Sequence, residues 1–293
     1  MESNTMHRHL VARCTWALAV AIAAVALLRT ASAQTVTAQI DLTGSWLPLS
    51  TEDVSNDTYP VDYMALPLSD EGRVRALSYN ESQLSMIDRQ CEGRPVWYFV
   101  QGPFGFTLWR NSEPTKGQVT SYTIGAWENR LPMTIWMDGR PRPSKYAEHS
   151  RAGFTTGRWE GNTLVATTTN MKASYIRKNG PPMSDHATVT TRYFRHGDLL
   201  TVQLVIEDPY YLAEPYTITK TFERSATEIT TVGPPCISTF EGTALDAPAP
   251  HWNPDKNPFV DELTKKWGIP REVVLGYPET LYPDYRLKLK NAR

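Results

Sequence analysis

The stretch FTTGRWEGNTLVATTTN, residues 154–170, decides the fold class. Its two halves, FTTGRW and TLVATTTN, are rich in residues that strands favour, and Glu160-Gly161-Asn162 joins them. Glycine and asparagine tolerate the positive φ that a tight hairpin turn needs. Trp159 is therefore expected to point inward and Arg158 outward or along the rim. We interpret Arg158-Trp159-Glu160 as the corner of a hairpin rather than as a reactive cluster.

The same strand pattern extends to both sides of this hairpin. The segments are VWYFVQ, GFTLWRN, QVTSYTIGA and RLPMTIWMDG before it, and ATVTTRYFR, LLTVQLVIED, YTITKTFER and EITTV after it. No helical spacers separate them, and parallel pairs need long crossovers, so the strands are expected to pair antiparallel in chain order. The chain is predicted to be all-β, an antiparallel up-and-down barrel of the lipocalin or calycin type; a sandwich is the alternative. A barrel of about eight to ten strands can hold one small ligand.

The first 33 residues have the pattern of a cleavable signal peptide. Arg8 and Arg13 precede an apolar run from Trp16 to Leu28, and Ala31-Ser32-Ala33 follows as an A-x-A cleavage site. The apolar run is shorter than the roughly 20 residues of a membrane span. We therefore expect cleavage after Ala33, a periplasmic or secreted protein, and no stable membrane insertion.

Residues 34–95 are predicted as an N-terminal extension and residues 96–236 as the barrel core. In the extension, IDLTGSWLPL indicates a first strand. Ser69 is predicted as the N-cap of a short helix, because Asp70 and Glu71 follow it as acidic residues of a first turn.

Residues 237–293 are predicted as a Pro-rich C-terminal arm with short helices. Only VDELTKKWG and REVVLG indicate helix there. Aromatic residues argue against full disorder; they are Trp252, Phe259, Trp267 and Tyr277. Two alternatives stay open: the arm packs over the barrel, or it holds another subunit in a homo-oligomer.

Two cysteines remain after the predicted cleavage, Cys91 and Cys236. In an oxidising compartment such a pair favours a disulfide over two free thiols. Neither cysteine has the CxxC spacing of a redox or zinc motif, so we predict a covalent staple rather than a reactive group.

The composition and the missing motifs narrow the function classes. A formal net charge of −1 gives no electrostatic reason to expect nucleic acid as a partner. The sequence has no HExxH, GxSxG, P-loop or strand-associated GxGxxG pattern, so no cofactor and no metal site are predicted. The nine Trp and 14 Tyr provide material for an aromatic-lined core or cavity.

Five residues near predicted loops are the candidate catalytic groups. His149, in the loop KYAEHSRAG, is the candidate general acid or base; Tyr175 or Tyr211, with Arg177, would stabilise developing negative charge. Asp208 ends an apolar strand, where partial desolvation can raise a carboxyl pKa. Structural alternatives stay open for three of them: an exposed loop histidine, a surface ion pair for Arg177 and a turn cap for Asp208. A direct Asp185–His186 dyad is disfavoured, because neighbours on a strand point to opposite faces.

Several motifs in residues 148–215 resemble one family of exported bacterial proteins of unassigned function. The shared features are a loop histidine, a G-R-W-E-G-D turn, an R-x-N-G-x-P-x-S-D loop, an R-H-G-D turn and a D-P-x-Y-L-x-E-P strand exit. Here they correspond to His149, Gly157 to Gly161, Arg177, Asn179 to Pro181, Ser184, Asp185, Arg195 to Asp198 and Asp208 to Pro215. Asn162 and Asn170 depart from the pattern, which has Asp and His there. The resemblance implies a lipocalin-like barrel and brings no agreed reaction with it.

We therefore expect an exported β-barrel that handles a small apolar or aromatic molecule. If it is an enzyme, cofactor-free lyase, isomerase or hydratase chemistry is the most economical hypothesis. The alternatives are a non-enzymatic periplasmic binding protein of lipocalin type and a structural module that uses the C-terminal arm.

Overall fold

A computed structural model describes residues 40–49, 61, 63, 66–79, 95–102, 105–125, 132–177, 179–229, 252–253 and 255–291. The chain divides into two compact units, Met1–Ile40 and Asp41–Arg293, and the described strands and helices belong to the second unit. The predicted signal peptide, residues 1–33, lies outside the described residues, and so do Cys91 and Cys236.

Nine strands form a closed barrel. They follow chain order around it, and one short hairpin, β7 (Ser174–Tyr175) with β8 (Pro182–Met183), is set aside from the ring. The strands of the ring are β1 (Gly44–Pro48), β2 (Phe106–Ser112), β3 (Val119–Gly125), β4 (Met133–Trp136), β5 (Phe154–Glu160), β6 (Thr163–Thr169), β9 (Thr188–His196), β10 (Leu199–Glu207) and β11 (Tyr216–Ser225). β1 closes the ring by pairing with both β2 and β11. A β-barrel is confirmed, and closure excludes the sandwich.

The prediction that every pair is antiparallel is wrong at one place. β4 and β5 pair parallel, through Ile135–Thr155 and Trp136–Thr156, whereas the other barrel pairs are antiparallel. A closed ring of nine strands cannot alternate throughout, since an odd number of strands leaves one pair running in the same direction. Residues 137–153 supply the long crossover that a parallel pair requires.

The turns around the quoted hairpin are as predicted. Gly161 (φ +59°) joins β5 to β6, and Gly197 (φ +60°) joins β9 to β10. Trp159 lies on the inner face of β5 and meets the Tyr122 ring edge-on at 6.4 Å. Arg158 is exposed and forms an ion pair with Glu160.

Large side chains fill the described barrel interior. Alternate residues of each strand face inward, and many of them have no exposed surface: Trp46, Phe106, Leu108, Ile135, Leu164, Val189, Tyr193, Leu200, Val202, Leu204, Ile206 and Phe222. At 0 % exposure, no water-sized space adjoins these side chains. These side chains leave no room for a ligand next to them, and a ligand enclosed elsewhere in the barrel stays a prediction.

The segment VWYFVQ is not a strand. Val96–Val100 form a 3-10 helix, and Trp97 to Val100 are all buried, without the alternation of a strand. Phe99 packs against Phe106 and Phe222, with ring centroids 4.6 Å and 6.2 Å away. The strong β preference of these aromatic residues is overridden because the segment serves as part of the core packing.

Short elements cover the end of the barrel where β2, β5, β9 and β11 begin, which we call the hairpin end. β7 pairs with β8 there, between β6 and β9 in the chain. Helix α1 (Asp70–Leu77) starts after Ser69, whose Oγ accepts a hydrogen bond from the Gly72 backbone N–H.

The C-terminal arm contains α2 (Phe259–Trp267), α3 (Arg271–Val274), a 3-10 helix (Pro278–Leu281) and α4 (Pro283–Asn291). The sequence predicts the first two of these helices, and Gly268 ends α2 in the left-handed conformation (φ +59°). In the part of the chain that the structure describes, none of the helices has the length and apolar character needed to cross a membrane.

Candidate functional site

The β7–β8 hairpin places Tyr175 and Arg177 in a buried polar cluster at the hairpin end. The Arg177 guanidinium donates a hydrogen bond of 2.7 Å to the Tyr216 hydroxyl, at the start of β11. Tyr175 meets the Tyr98 ring edge-on, with the centroids 5.9 Å apart. Gln101 donates to the Ile176 carbonyl at 2.8 Å. These contacts attach the hairpin to the barrel.

Asp208 caps the turn after β10 and is 4 % exposed. Its carboxylate accepts from the Ser184 backbone N–H (2.6 Å) and hydroxyl (2.8 Å). It also accepts from the backbone N–H groups of Tyr210 (3.0 Å) and Tyr211 (3.2 Å). Four donors therefore surround this carboxylate. The turn-cap alternative has direct geometric support, and Tyr211 takes part through its backbone.

His149 lies in the crossover loop beside the end of β6. Its Nδ1 is 3.0 Å from the Met171 carbonyl oxygen and its Nε2 is 3.3 Å from the Lys145 carbonyl oxygen. Next to it, Asn170 (φ +53°) donates to the Ser144 carbonyl at 2.9 Å. Because both ring nitrogens face backbone oxygens, the imidazole ties the loop to β6 rather than facing a ligand.

All five candidate residues thus lie at the hairpin end. Four of them take part in the contacts that hold the β7–β8 hairpin and its neighbouring turn: Tyr175, Arg177, Asp208 and Tyr211.

Asp185 and His186 differ from the expectation: they lie in a turn, and His186 Nδ1 is 2.8 Å from the Asp185 carboxylate. Both side chains are about half exposed, so solvent screens this pair.

The described residues contain a pocket among the helices of the C-terminal arm. This arm pocket has a volume of about 240 Å³ and a mostly apolar lining contributed by the C-terminal arm and by Val61, Tyr63 and Leu66. The lining residues are Val61, Tyr63, Leu66, Leu263, Trp267, Ile269, Val273, Val274, Gly276, Thr280, Leu281, Arg286 and Leu289.

Tyr63 lines the arm pocket, and its hydroxyl is enclosed by the surrounding protein. Tyr63 is 3 % exposed, and its hydroxyl has no hydrogen-bond partner among the described residues. Burial raises the pKa of Tyr63 far above its ordinary value, although the nearby Arg73 cation opposes the shift. The phenol therefore stays neutral and can donate one hydrogen bond. By contrast, the Thr280 hydroxyl already donates to the Tyr277 carbonyl at 2.7 Å.

Buried Arg73 fixes the arm against helix α1. Its guanidinium donates to the Gly276 carbonyl at 3.0 Å and lies 4.1 Å from the centroid of the Tyr277 ring. Asn257 adds a hydrogen bond of 2.9 Å to the Leu77 carbonyl. The arm thus packs on its own chain, and its position creates the pocket.

Sequence reasoning missed Tyr63 and Arg73. The available signal was the aromatic content of the arm, which predicted packing and includes the pocket residue Trp267. Nothing in the local pattern connects Tyr63 with helices some 200 residues later, because that contact is made only by the tertiary fold.

Among the described residues, no group of three or more His, Cys, Asp or Glu side chains is placed to hold a metal ion.

The chain matches no protein-family model, no curated protein and no solved structure. The resemblance to exported bacterial proteins therefore stays a prediction from the motifs.

Proposed function

We propose that the protein binds a small, mostly apolar molecule carrying one hydrogen-bond acceptor, and that it does so in the arm pocket. The apolar lining carries this proposal. Tyr63 is part of that lining, and its hydroxyl is enclosed and has no partner among the described residues. We propose that a bound ligand reaches this donor through a small shift of the pocket wall. A buried hydroxyl without a partner is unfavourable by about 1–3 kcal/mol, so a ligand acceptor that meets it gains specificity.

The pocket volume sets the ligand size. An apolar cavity of roughly 150 Å³ is enough for benzene, and the arm pocket has about 240 Å³. A two-ring ketone such as 2-acetylnaphthalene suits this space, its rings against the apolar lining and its carbonyl oxygen towards Tyr63. Arg286 is the charged residue of the lining, and it is exposed.

Titration calorimetry with 2-acetylnaphthalene tests the proposal. We expect one saturable site in the wild type and loss of binding in Val273→Trp, where the indole fills the pocket. Val74→Trp is the matched control: Val74 is 62 % exposed on α1 and is not part of the pocket lining, so its affinity should stay unchanged. Circular dichroism checks that both variants fold. Unchanged binding in folded Val273→Trp would exclude the arm pocket.

A second probe isolates the hydrogen bond. 2-Ethylnaphthalene has a similar shape and no acceptor, so it should bind the wild type about 2- to 10-fold more weakly than the ketone. In Tyr63→Phe the two probes should bind equally. A persistent preference for the ketone in this variant would remove Tyr63 from the proposal.

The other functional predictions concern His149 and the oligomeric state. An acid or base role for His149 needs a free ring nitrogen, whereas both nitrogens face backbone carbonyls. If turnover of an identified substrate is unchanged in His149→Ala, that role is removed. A homo-oligomer formed through the arm is also a prediction, and sedimentation of the full chain tests it.

We further propose that the protein is exported to the periplasm or secreted. The support is the N-terminal pattern of basic, apolar and small residues that ends at Ala33. Mass spectrometry of the mature protein should find Gln34 as its first residue; an intact Met1–Ala33 segment on the purified native protein would contradict the proposal.

A further inference from the structure

An open cleft of about 430 Å³ lies beside the start of β1, Thr107–Arg110 of β2 and the end of β11, away from the hairpin end. Arg110 and Arg224 enter it from the two strands that flank β1. Gly44 (φ +125°) lies between them, and a Cβ at this position would be 3.5 Å from Arg224 Nε. The missing side chain of Gly44 therefore leaves room beside the guanidinium.

The serine and threonine hydroxyl groups around this cleft already form hydrogen bonds within the protein. Ser45 and Thr107 share a hydrogen bond of 2.7 Å, and both also bond to the Ile229 backbone. Ser225 bonds to the backbone of Thr227. These bonds hold the 225–229 segment as a wall of the cleft, and they leave the guanidinium groups as its uncommitted donors.

Arg110 and Arg224 have no side-chain hydrogen bond or ion pair among the described residues, in contrast to nearby Arg195, which donates to the Gly197 and Asp41 carbonyls. The Arg110 guanidinium does interact electrostatically with the Asp41 carboxylate.

The Asp41 carboxylate nevertheless already accepts hydrogen bonds from Thr43. Partial burial would raise the pKa of Asp41, but two hydrogen bonds from Thr43 and the charges of Arg110 and Arg195 outweigh it and lower the pKa. This carboxylate therefore stays ionised and bound to Thr43 rather than entering the cleft.

We propose that this arginine cleft binds the oxoanion group, phosphate or carboxylate, of a small aromatic compound. A guanidinium offers paired N–H donors that match such a group in a bidentate geometry. Trp109 lines the same cleft from the other face of β2, with 37 % of its surface exposed, so it offers an aromatic ring apolar contact at the rim of the cleft. Glu228 also lines the cleft and opposes anion binding, so two cations act against one carboxylate.

Calorimetry at low ionic strength with phenyl phosphate, benzoate and inorganic phosphate tests the proposal. We expect phenyl phosphate or benzoate to bind one site, whichever oxoanion the cleft prefers, and inorganic phosphate to bind more weakly because it lacks the ring. Arg110→Gln and Arg224→Gln should each weaken the aromatic anion about 10-fold or more. Glu228→Gln should strengthen it.

Arg75→Gln is the matched control, since Arg75 is exposed on α1 at the hairpin end and should not alter anion affinity. Equal weakening by all three arginine variants would reduce the effect to net charge and overturn the proposal, as would no measurable binding of any probe. Binding of 2-acetylnaphthalene should stay unchanged in Arg110→Gln, so the cleft and the arm pocket can fail independently.

Discussion

Replacing Tyr63 with phenylalanine should make the ligand-free protein more stable. The substitution removes a hydroxyl that is buried without a partner among the described residues and leaves the ring in place. Relief of an unpaired buried hydroxyl is worth about 1–3 kcal/mol. For a chain of this size, each kcal/mol raises the melting temperature by roughly 2–4 °C.

Differential scanning calorimetry of the free protein measures this change, and Tyr216→Phe is the matched control. The Tyr216 hydroxyl accepts the 2.7 Å hydrogen bond of buried Arg177, so its removal should lower the free energy of unfolding by about 1–3 kcal/mol. The same chemical change is thus expected to have opposite signs at the two positions.

Saturating 2-acetylnaphthalene should then raise the melting temperature of the wild type more than that of Tyr63→Phe, because tighter binding to the native state adds more stability. A lower melting temperature for ligand-free Tyr63→Phe would show that the hydroxyl has a favourable partner. In that case the physical basis for a ligand acceptor at Tyr63 would be lost.

The geometry leads to three further expected outcomes. Asp208→Ala should lower the free energy of unfolding by about 3 kcal/mol or more in urea titrations, since four donors lose a buried carboxylate; a loss under about 1 kcal/mol would contradict its capping role. Gly72→Ala should destabilise by about 1–3 kcal/mol despite the better helix propensity of alanine, because its Cβ would lie 2.3 Å from the Tyr211 carbonyl oxygen; a stability gain would refute this close approach. The lowered pKa of Asp41 gives the wild type an advantage over Asp41→Asn that is full above the unfolded carboxyl pKa of about 4 and disappears as the pH falls through the folded pKa; urea titrations across this pH range measure it, and an advantage that grows in acid would reverse the assigned sign.

The sequence pattern located the nine strands of the ring and most of their turns, whereas it missed the short β7–β8 hairpin and predicted a strand at VWYFVQ. Period-two alternation and the Gly161 and Gly197 turns are local signals, and they located the β5–β6 and β9–β10 hairpins. The parallel β4–β5 pair was not predictable in this way, because strand direction depends on where the crossover loop returns. The 3-10 helix Val96–Val100 was missed because buried aromatic runs and strands have the same composition.

The candidate site was predictable only in part. Loop residues at one end of the barrel were identified from sequence. Three of the four donors to Asp208 and both groups that face His149 belong to the backbone, so the residue types of the sequence do not reveal these contacts. The arm helix Pro283–Asn291 was also missed, since proline suggested a break although it is tolerated in a first helical turn. The arm pocket depends on that helix and on a distant tyrosine.

The structure of the complex with 2-acetylnaphthalene tests the central claim most directly. We predict the rings between α2, α3 and α4, with the ketone oxygen within hydrogen-bond distance, about 2.6–3.0 Å, of the Tyr63 hydroxyl. A ligand inside the barrel, or beside His149 with the arm pocket empty, would contradict it.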